Sequence, residues 1–489
     1  MQHLIYQMGL INLLNGRKTM SLPTAIIITT VLIIIATLLP TYIISKKKTT
    51  TNEEWAIASH ELPIYVVIGT QFASIVGGGY MVAHVGNAYS VGIGHLTYGL
   101  LSVLPLIAIM LLAKWLRKNS FSTIPDIIKH YTGGHNRAIN ILCGVATMLF
   151  PFGWITSQIT AFASIYTQVT GLDYTLLCCL FSAVALFFVM PSGLKTVAWT
   201  DFIFACFMCV LMLIIAIAAT IMAGGGAAIS AAVEPSMLSV GDSLKAIGAN
   251  TIILWFFSIL PGGMTNQIYY QRVCAIDNEK KVNSSLIISA VVAFVAFCWS
   301  VYMGITIKAI NPGLEVASNA TGWLMTQLPM PIVACFCGAL FAAMMSTVSS
   351  GVQSIVVNIT RDIVPELKPD ISDEQSLRLS RIMSFVLVAF SLIMCLFFTD
   401  TLTWLVATAG LSASMMLCPI FVSYLLRKKH IITNAGIAAG IIFGAAGGIL
   451  GMALNTTVNY AVLGIVFSLA GMLLVSALTK KSSQIISAE

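Results

Sequence analysis

The sequence IVGGGY, residues 75–80, interrupts an apolar run that extends from about residue 62 to 88. Three consecutive glycines make a poor helix centre, because each is about 1 kcal/mol less favourable in a helix than alanine. One interpretation is that the glycines let two membrane helices pack closely. The alternative is a helix broken near its middle, whose freed backbone N–H and C=O groups need other partners.

A second interruption, LPGGM at residues 260–264, lies in the apolar run at about 250–274. Pro261 removes a backbone donor there, and two glycines follow it. The two interrupted runs are the second and the seventh in the chain, so they lie five spans apart. Interrupted spans at matching positions of two inverted halves are typical of transporters that bind their substrate near the membrane midplane. The pair therefore predicts a ligand site between the two interruptions.

The composition assigns the chain to the membrane. It is 58% hydrophobic and 9% charged, with a mean hydropathy of +0.93, whereas soluble domains carry about 25% charged residues. We expect an all-α membrane protein with a tail at 1–20, one transmembrane domain at 21–478 (core repeats at about 62–223 and 250–426) and a tail at 479–489. The apolar runs predict thirteen spans, at about 21–45, 62–88, 91–115, 136–170, 173–191, 196–223, 250–274, 283–309, 330–362, 377–398, 401–426, 431–454 and 457–478.

The formal net charge of +7 does not indicate a nucleic-acid partner, because the basic residues form short clusters between apolar runs. Such clusters are typical of cytoplasmic loops. We therefore expect the N-terminus outside and the C-terminus in the cytoplasm of a multi-pass plasma (inner) membrane protein. The expected partners are the lipid bilayer and a small-molecule substrate, with a monomer as the functional unit. Only four of the 25 Lys and Arg residues then lie outside: Arg17, Lys18, Lys245 and Lys308.

The sequence does not predict an enzyme. Its 11 cysteines lie mostly inside the apolar runs and form no pair of CxxC motifs, so we interpret them as small apolar residues. Neither HExxH nor GxSxG occurs. A channel is disfavoured as well, because the deep spans are too apolar for a continuous polar pore.

One face of the run at about 330–362 carries small hydroxyl groups. Ala343, Ser346, Thr347 and Ser350 follow helical spacing and share that face. Hydroxyls are uncharged oxygen ligands, and with carbonyls freed by a broken helix they suit a desolvated monovalent cation. The alternative is that they bond to their own helix or hold two helices together.

Two further polar residues have two interpretations each. Asp201 lies in the cytoplasmic third of the run at about 196–223, where a carboxylate is costly and usually functional, unless it is simply hydrated at the interface. His84, one turn after the first interruption, is either a proton-sensitive gate or a helix–helix hydrogen-bonding group.

Four stretches resemble the sodium:solute symporter family, which has the LeuT-type inverted-repeat fold. They are residues 77–92, 193–201, 266–272 and 343–362, and the likeness extends over about 21–478. The resemblance implies ten core helices in two inverted repeats of five, with one helix before them and two after. It also implies sodium as the coupling ion and no organic cofactor.

The resemblance assigns ligands to two sodium sites. The first would use the carbonyls of Ala73, Val76 and Ala343 with the hydroxyls of Ser346 and Thr347. Some relatives that resemble sialic-acid transporters bind a second sodium ion, and its ligands would be Asp201, Ser346, Ser349 and Ser350.

The positions at which the sequence departs from the family narrow the range of candidate substrates. The triple glycine is most similar to the choline branch, but two tryptophan positions of its aromatic cage hold Ile75 and Asn266, which leaves Trp404. Family sugar transporters place polar side chains directly after the first break, where Gly79 and Tyr80 stand. Proline transporters carry an aspartate at the position of Ile75. The full choline cage, sugars and proline are therefore disfavoured.

The predicted function is sodium-coupled import of a small organic solute by alternating access. A proton-coupled carrier and a choline or quaternary-amine symporter are the alternatives. We expect no Lys or Arg deep in the two interrupted spans; amino acids, small carboxylates, quaternary amines and a vitamin such as pantothenate remain candidate solutes. The predicted substrate-binding residues are Gly77, Gly78, Gly79, Tyr80, Tyr98, Asn266, Gln267 and Trp404, with Thr97 beside them.

Overall fold

The computed structural model describes residues 21–45, 58–119, 121–132, 136–189, 193–429 and 431–479. Within these ranges the chain is helical, which confirms the all-α class, and the β-type pairing there is one isolated bridge between Leu62 and Ile276. The tails at 1–20 and 480–489 lie outside the described residues. The longer helices are Leu22–Ser45, Ile64–Ile75, His84–Val91, Leu96–Lys118, Ile124–Thr132, Arg137–Ala146, Leu149–Thr170, Tyr174–Val189, Leu194–Met222, Gly226–Ala232, Val240–Ile247, Ala249–Met264, Gln267–Ala275, Val282–Ile310, Ala320–Gln327, Met330–Val357, Asp373–Phe397, Thr401–Leu417, Asn434–Ala453 and Tyr460–Thr479.

Nine helices in the described ranges are long and apolar enough to cross a membrane. A tenth results if Val240–Ile247 and Ala249–Ala275, which meet at 85°, are counted as one span. Shorter apolar stretches are Ile64–Ile75, Tyr174–Val189 and the part of the helix Leu22–Ser45 up to Ala36. The number of thirteen membrane spans therefore stays a prediction, because helix length and composition in the described ranges give nine or ten.

The first predicted interruption separates two helical segments. The first broken helix consists of Ile64–Ile75, a π-helical turn at Gly79–Ala83, and His84–Val91. It ends at Gly92, which has a φ of 70° and approaches Met237 so closely that an added Cβ would lie 2.3 Å from the Met237 carbonyl oxygen. Glycine is the residue that accepts both conditions.

The second interruption lies a few residues later than LPGGM predicts. Pro261 lies inside the helix Ala249–Met264, and the chain becomes extended only at Asn266, before Gln267–Ala275 begins. Proline lacks only its own N–H, so the following amides still donate to the helix. The two glycines provide close packing instead: a Cβ on Gly263 would lie 2.4 Å from the Pro105 side chain. These two segments form the second broken helix.

Both broken helices meet at one end of the bundle. Leu62, just before the first broken helix, donates its amide to the Ala275 carbonyl at 3.0 Å and accepts from the Asp277 amide at 2.9 Å. This isolated bridge ties the start of the first broken helix to the end of the second.

The core lies around the hydroxyl helix, Met330–Val357. In the most apolar part of the helical run Met330–Leu367, 89% is buried inside the protein. The corresponding buried share of the helix Asp373–Phe397 is 28%. The neighbours of the hydroxyl helix are Leu22–Ser45, Leu149–Thr170, Leu194–Met222 and Ile64–Ile75. Every residue from Phe336 to Val357 is buried, so the hydroxyl groups of this helix face protein and not lipid.

Candidate functional site

The first break frees two backbone carbonyls. The amides of Gly77 and Gly78 would continue the helix by bonding to the Ala73 and Ser74 carbonyls. Instead the Gly77 amide donates to the Ile75 carbonyl at 3.1 Å, and the Gly78 amide donates to Gln158 Oε1 at 2.6 Å. Carbonyls released in this way in a low-dielectric interior need a new partner.

The hydroxyl helix supplies partners at this point. Ser346 Oγ lies 3.2 Å from the Ala73 carbonyl oxygen and 2.9 Å from that of Ala343. Thr347 Oγ1 lies 3.3 Å from Ala73 O, 3.4 Å from Ser74 O and 3.1 Å from Ala343 O. The structure therefore brings together four of the five residues predicted for the first sodium site, and Val76 lies at the break beside them.

The chemistry of this cluster fits a monovalent cation. Its oxygens are neutral carbonyls and hydroxyls, and all of these residues are buried. A hydroxyl can rotate so that a lone pair faces an ion instead of its hydrogen facing a carbonyl. Ala73 O, Ala343 O, Ser346 Oγ and Thr347 Oγ1 can therefore all become ligands without a change of backbone.

Asp201 pairs with a buried arginine. Its Oδ2 lies 3.5 Å from Nη2 of Arg272, and both side chains are completely buried. Arg272 also donates to Ser350 Oγ at 2.6 Å, to Ser74 Oγ at 2.8 Å and to Thr70 Oγ1 at 3.0 Å. The expectation of no Arg or Lys deep in the interrupted spans is thus wrong, since Arg272 belongs to the second broken helix.

The four residues predicted for a second sodium ion are only partly brought together. Ser350 Oγ donates to Asp201 Oδ2 at 3.2 Å. Ser349 Oγ donates at 2.5 Å to the Met345 carbonyl of its own helix, and Ser346 belongs to the cluster at the first break. Asp201 Oδ1 is buried without a hydrogen-bond partner among the described residues.

A central cavity lies between the two broken helices. The space between its lining atoms, open solvent included, is about 580 Å³. No Lys, Arg, Asp or Glu is found among the described residues that line it. The lining consists of Ser74, Ile75, Gly77, Gly79, Tyr80, His84, Tyr98, Ser102, Phe150, Trp154, Gln158, Ile259, Gly263, Tyr269, Thr347 and Leu405.

Half of the predicted substrate residues line this cavity: Gly77, Gly79, Tyr80 and Tyr98. The other four lie behind its wall. An added Cβ on Gly78 would meet Ala161 at 2.7 Å, and Asn266 Oδ1 accepts from the Ile268 amide of its own helix. Gln267 bonds to the backbone of Ser122 and Ile124, and Trp404 stacks on Phe398 with ring centroids 4.3 Å apart.

A second, polar cavity lies further along the first broken helix. It has an empty volume of about 990 Å³ and lies between Val82–Ser90, residues 317–319 and residues 399–402. Its one acidic side chain among the described residues, Asp400, caps the helix Thr401–Leu417 by accepting from the amides of Leu402 and Thr403.

Several residues that contact the oxygen cluster or line the cavity were missed by sequence reasoning. Gln158 is a polar residue in the middle of the apolar helix Leu149–Thr170, and this position alone could have marked it. Arg272 lies one helical turn after Ile268, whose carbonyl it bonds at 3.2 Å, and its charge at the end of an apolar run was the available signal. Trp154 and Tyr269 carry no such signal, because aromatic residues in membrane helices usually only pack.

The family model for the sodium:solute symporter family matches residues 55–444. The high-affinity proline transporter PutP of Bacillus subtilis (strain 168) is 23% identical over 380 residues, which are 74% of this chain and 78% of that one. The high-affinity choline transporter 1 of Caenorhabditis elegans is 26% identical over 285 residues, 56% of this chain and 45% of that one.

Solved structures agree on the fold. A Na⁺-coupled sialic acid symporter in a substrate-bound, outward-open state superposes with a TM-score of 0.77 at 19% identity, covering 93% of this chain and 98% of that one. The nucleobase-cation-symport-1 family transporter MHP1 gives 0.55 at 12% identity, covering 90% and 97%. The relatives are transporters and not enzymes, and the LeuT-like architecture is confirmed. The chain belongs to the sodium:solute symporter family.

Proposed function

We propose that this chain is a sodium-coupled secondary active transporter that imports a small organic solute by alternating access. The observation that carries the proposal is the contact of Ser346 Oγ and Thr347 Oγ1 with the Ala73 carbonyl at the first break, at 3.2 and 3.3 Å. Uncharged oxygens from a broken helix and a neighbouring helix are the ligands that suit Na⁺. Sodium here is co-transported cargo, held by Ala73, Val76, Ala343, Ser346 and Thr347.

Sodium and solute would support each other's binding. The ion ties the first broken helix to the hydroxyl helix, and the next residues, Gly77 to Tyr80, form part of the cavity wall. Because both ligands stabilise one conformation, each raises the affinity of the other by the same factor. Each sodium ion moving inward across 100 mV gains about 2.3 kcal/mol from the membrane potential.

The proposal includes the predicted topology: thirteen spans, a core of two inverted repeats of five, and an N-terminus outside a plasma (inner) membrane. Two observations support this orientation. The bridged ends of the broken helices lie next to Lys280 and Lys281, as expected for a cytoplasmic surface. The polar cavity near residues 317–319 lies at the opposite end, where the solute would enter.

A second sodium ion at Asp201, Ser346, Ser349 and Ser350 is a separate proposal. Asp201 Oδ2 is already engaged by Arg272, Thr70 and Ser350. Oδ1 has no hydrogen-bond partner within the described ranges, so it is the atom available to a second ion. Such an ion would share the carboxylate with Arg272.

The cavity wall favours a quaternary or primary amine as one candidate solute. Ile75 and Asn266 disfavour the full choline cage, but the rings of four other aromatic residues line the cavity: Tyr80, Tyr98, Trp154 and Tyr269. Trp154 and Tyr269 meet edge to face at 6.2 Å. Aromatic faces attract organic cations. The choline transporter among the relatives agrees with this candidate.

Uptake by the purified full chain in proteoliposomes tests the proposal. A thermal-shift screen in sodium first identifies a solute that stabilises the protein, since a bound ligand raises the melting temperature. Uptake of that solute should require an inward sodium gradient and stop in potassium. Equal uptake in both salts would remove sodium coupling, and uptake driven by a pH gradient alone would favour the proton-coupled alternative.

A further inference from the structure

Two buried histidines form a pair at the edge of the central cavity. His84 lies one turn beyond Tyr80 on the first broken helix and lines the cavity. Its Nδ1 is 3.0 Å from Nε2 of His95, which lies in the turn before Leu96–Lys118. The side chains are 2% and 0% exposed.

Aromatic rings enclose this pair. Tyr98 and Phe297 contact both imidazoles, with ring centroids between 4.6 and 5.6 Å apart. Trp255 meets the edge of His95 at 5.4 Å, and Tyr80 meets His84 at 5.2 Å. Among the described residues no carboxylate, lysine or arginine bonds to either ring. An imidazolium here would be a buried charge without a counter-ion, so both rings are neutral.

The free nitrogen of His95 determines where the protons lie. A neutral imidazole has one N–H and one acceptor nitrogen. His95 Nδ1 is buried and has no hydrogen-bond partner within the described ranges. Either tautomer leaves one N–H without a protein partner, on His95 Nδ1 or on His84 Nε2. His95 Nδ1 is fully enclosed, whereas His84 lines the cavity, where a solute can accept from it, so the His95 proton lies on Nε2. It is donated to His84 Nδ1, and this places the His84 proton on Nε2.

We propose that His84 presents an N–H donor to the central cavity and that His95 is a positioning residue which fixes this tautomer. The accepted solute therefore carries a carbonyl, carboxylate or other oxygen acceptor next to a body that packs on the aromatic wall. The one hydrogen bond of the His84 ring in the described part of the chain is that to His95, and Nε2 is not among the enclosed unpartnered atoms, which leaves this nitrogen open to the cavity and the solute. The inference rests on the proposed function only in taking this cavity as the solute site.

Nitrogen-15 NMR tests the tautomer without any solute. The full chain contains 7 histidines, and labelled histidine in sodium-containing micelles reports the protonation of each ring nitrogen. The His84→Gln and His95→Gln variants assign the two spin systems, and His130→Gln, on the distant helix Ile124–Thr132, should leave both unchanged. We expect neutral Nε2–H tautomers for His84 and His95. An Nδ1–H tautomer of His84, or an imidazolium, would overturn the proposal.

A pair of substitutions tests the donor. The solute found by thermal shift in sodium should bind His84→Phe about tenfold to a hundredfold more weakly, because its acceptor loses a buried hydrogen bond. His84→Gln keeps an N–H donor and should bind within about threefold of the original, and sodium affinity should be unchanged in both. Unaltered solute affinity in His84→Phe contradicts the proposal. If no solute stabilises the protein in sodium, the proposed function fails, and the NMR experiment still decides the tautomer.

Discussion

Asp201 Oδ2 and Arg272 Nη2 lie 3.5 Å apart with both side chains completely buried. Through Ser74 and Ser350 the same guanidinium also contacts the first broken helix and the hydroxyl helix. One buried cation therefore connects both broken helices, the hydroxyl helix and the helix Leu194–Met222.

Removing Arg272 should strongly destabilise the protein. The Arg272→Gln variant leaves the Asp201 carboxylate buried without a counter-ion, which costs about 3–5 kcal/mol. Unfolding by denaturant in detergent measures the free energy of unfolding. The double variant Asp201→Asn/Arg272→Gln removes both charges and should be clearly more stable than Arg272→Gln alone. Equal destabilisation in both would show that the ion pair does not carry the effect.

The hydroxyls at the first break should determine the sodium requirement. Ser346→Ala with Thr347→Ala removes two oxygen ligands, and we expect the sodium concentration for half-maximal stabilisation to rise at least about tenfold, a loss of about 1.4 kcal/mol. Thermal shift against sodium measures it. Ser384→Ala is the matched control, because Ser384 is buried, donates to the Ser380 carbonyl of its own helix and belongs to neither proposed sodium site. Sodium dependence like that of the original protein in the double variant would remove the site.

A side chain on Gly77 should disturb the sodium site, while one on Gly79 should not. A Cβ at Gly77 would lie 2.4 Å from Gln158 Oε1 and 2.8 Å from Thr347 Oγ1, whereas a Cβ at Gly79 meets only Leu405, at 3.5 Å. Gly77→Ala should therefore weaken sodium binding and lower the melting temperature, since such overpacking costs about 1–3 kcal/mol. Gly79→Ala should retain sodium affinity. The same sodium titration for both variants would refute this explanation.

Gln158 should stabilise the break through its side-chain oxygen. Gln158→Leu leaves the Gly78 amide buried without an acceptor, at a cost of about 1–3 kcal/mol. We expect a lower free energy of unfolding and weaker sodium binding. Gln158→Glu keeps the acceptor and should bind sodium more tightly than Gln158→Leu. Gln168→Leu, at the half-buried C-terminal end of the same helix, serves as a control, and an equal effect there would contradict the assignment.

Local sequence patterns predict the features of the site that are formed by residues close together in the sequence. Three glycines interrupt one helix, and the face of Ser346 and Thr347 follows from helical spacing alone. The position of the second break was predicted a few residues early, because Pro261 marks a lost donor but does not end a helix whose later amides still have acceptors.

The contacts that these features make with distant segments could not be predicted from the sequence. Gln158 bonds to an amide 80 positions earlier in the chain, and Arg272 bonds to Thr70, 202 positions away. Neither Trp404 nor Gln267 reaches the cavity, because each contacts a distant part of the chain instead. Trp404 packs on Phe152 and Phe398, and Gln267 donates to the Ser122 carbonyl. Such contacts depend on how helices pack, and no local spacing encodes them.

The sequence by itself determined that the protein lies in a membrane, that it is helical and that its second apolar run is interrupted. These features follow from the hydropathy of each segment and from the low helix propensity of glycine, which act within one segment. Tertiary structure alone decided that Ala73, Ser346 and Thr347 share one oxygen cluster, that Arg272 neutralises Asp201, and that His95 orients His84. Each of these requires two distant segments to come within about 3 Å, the reach of a hydrogen bond or ion ligand.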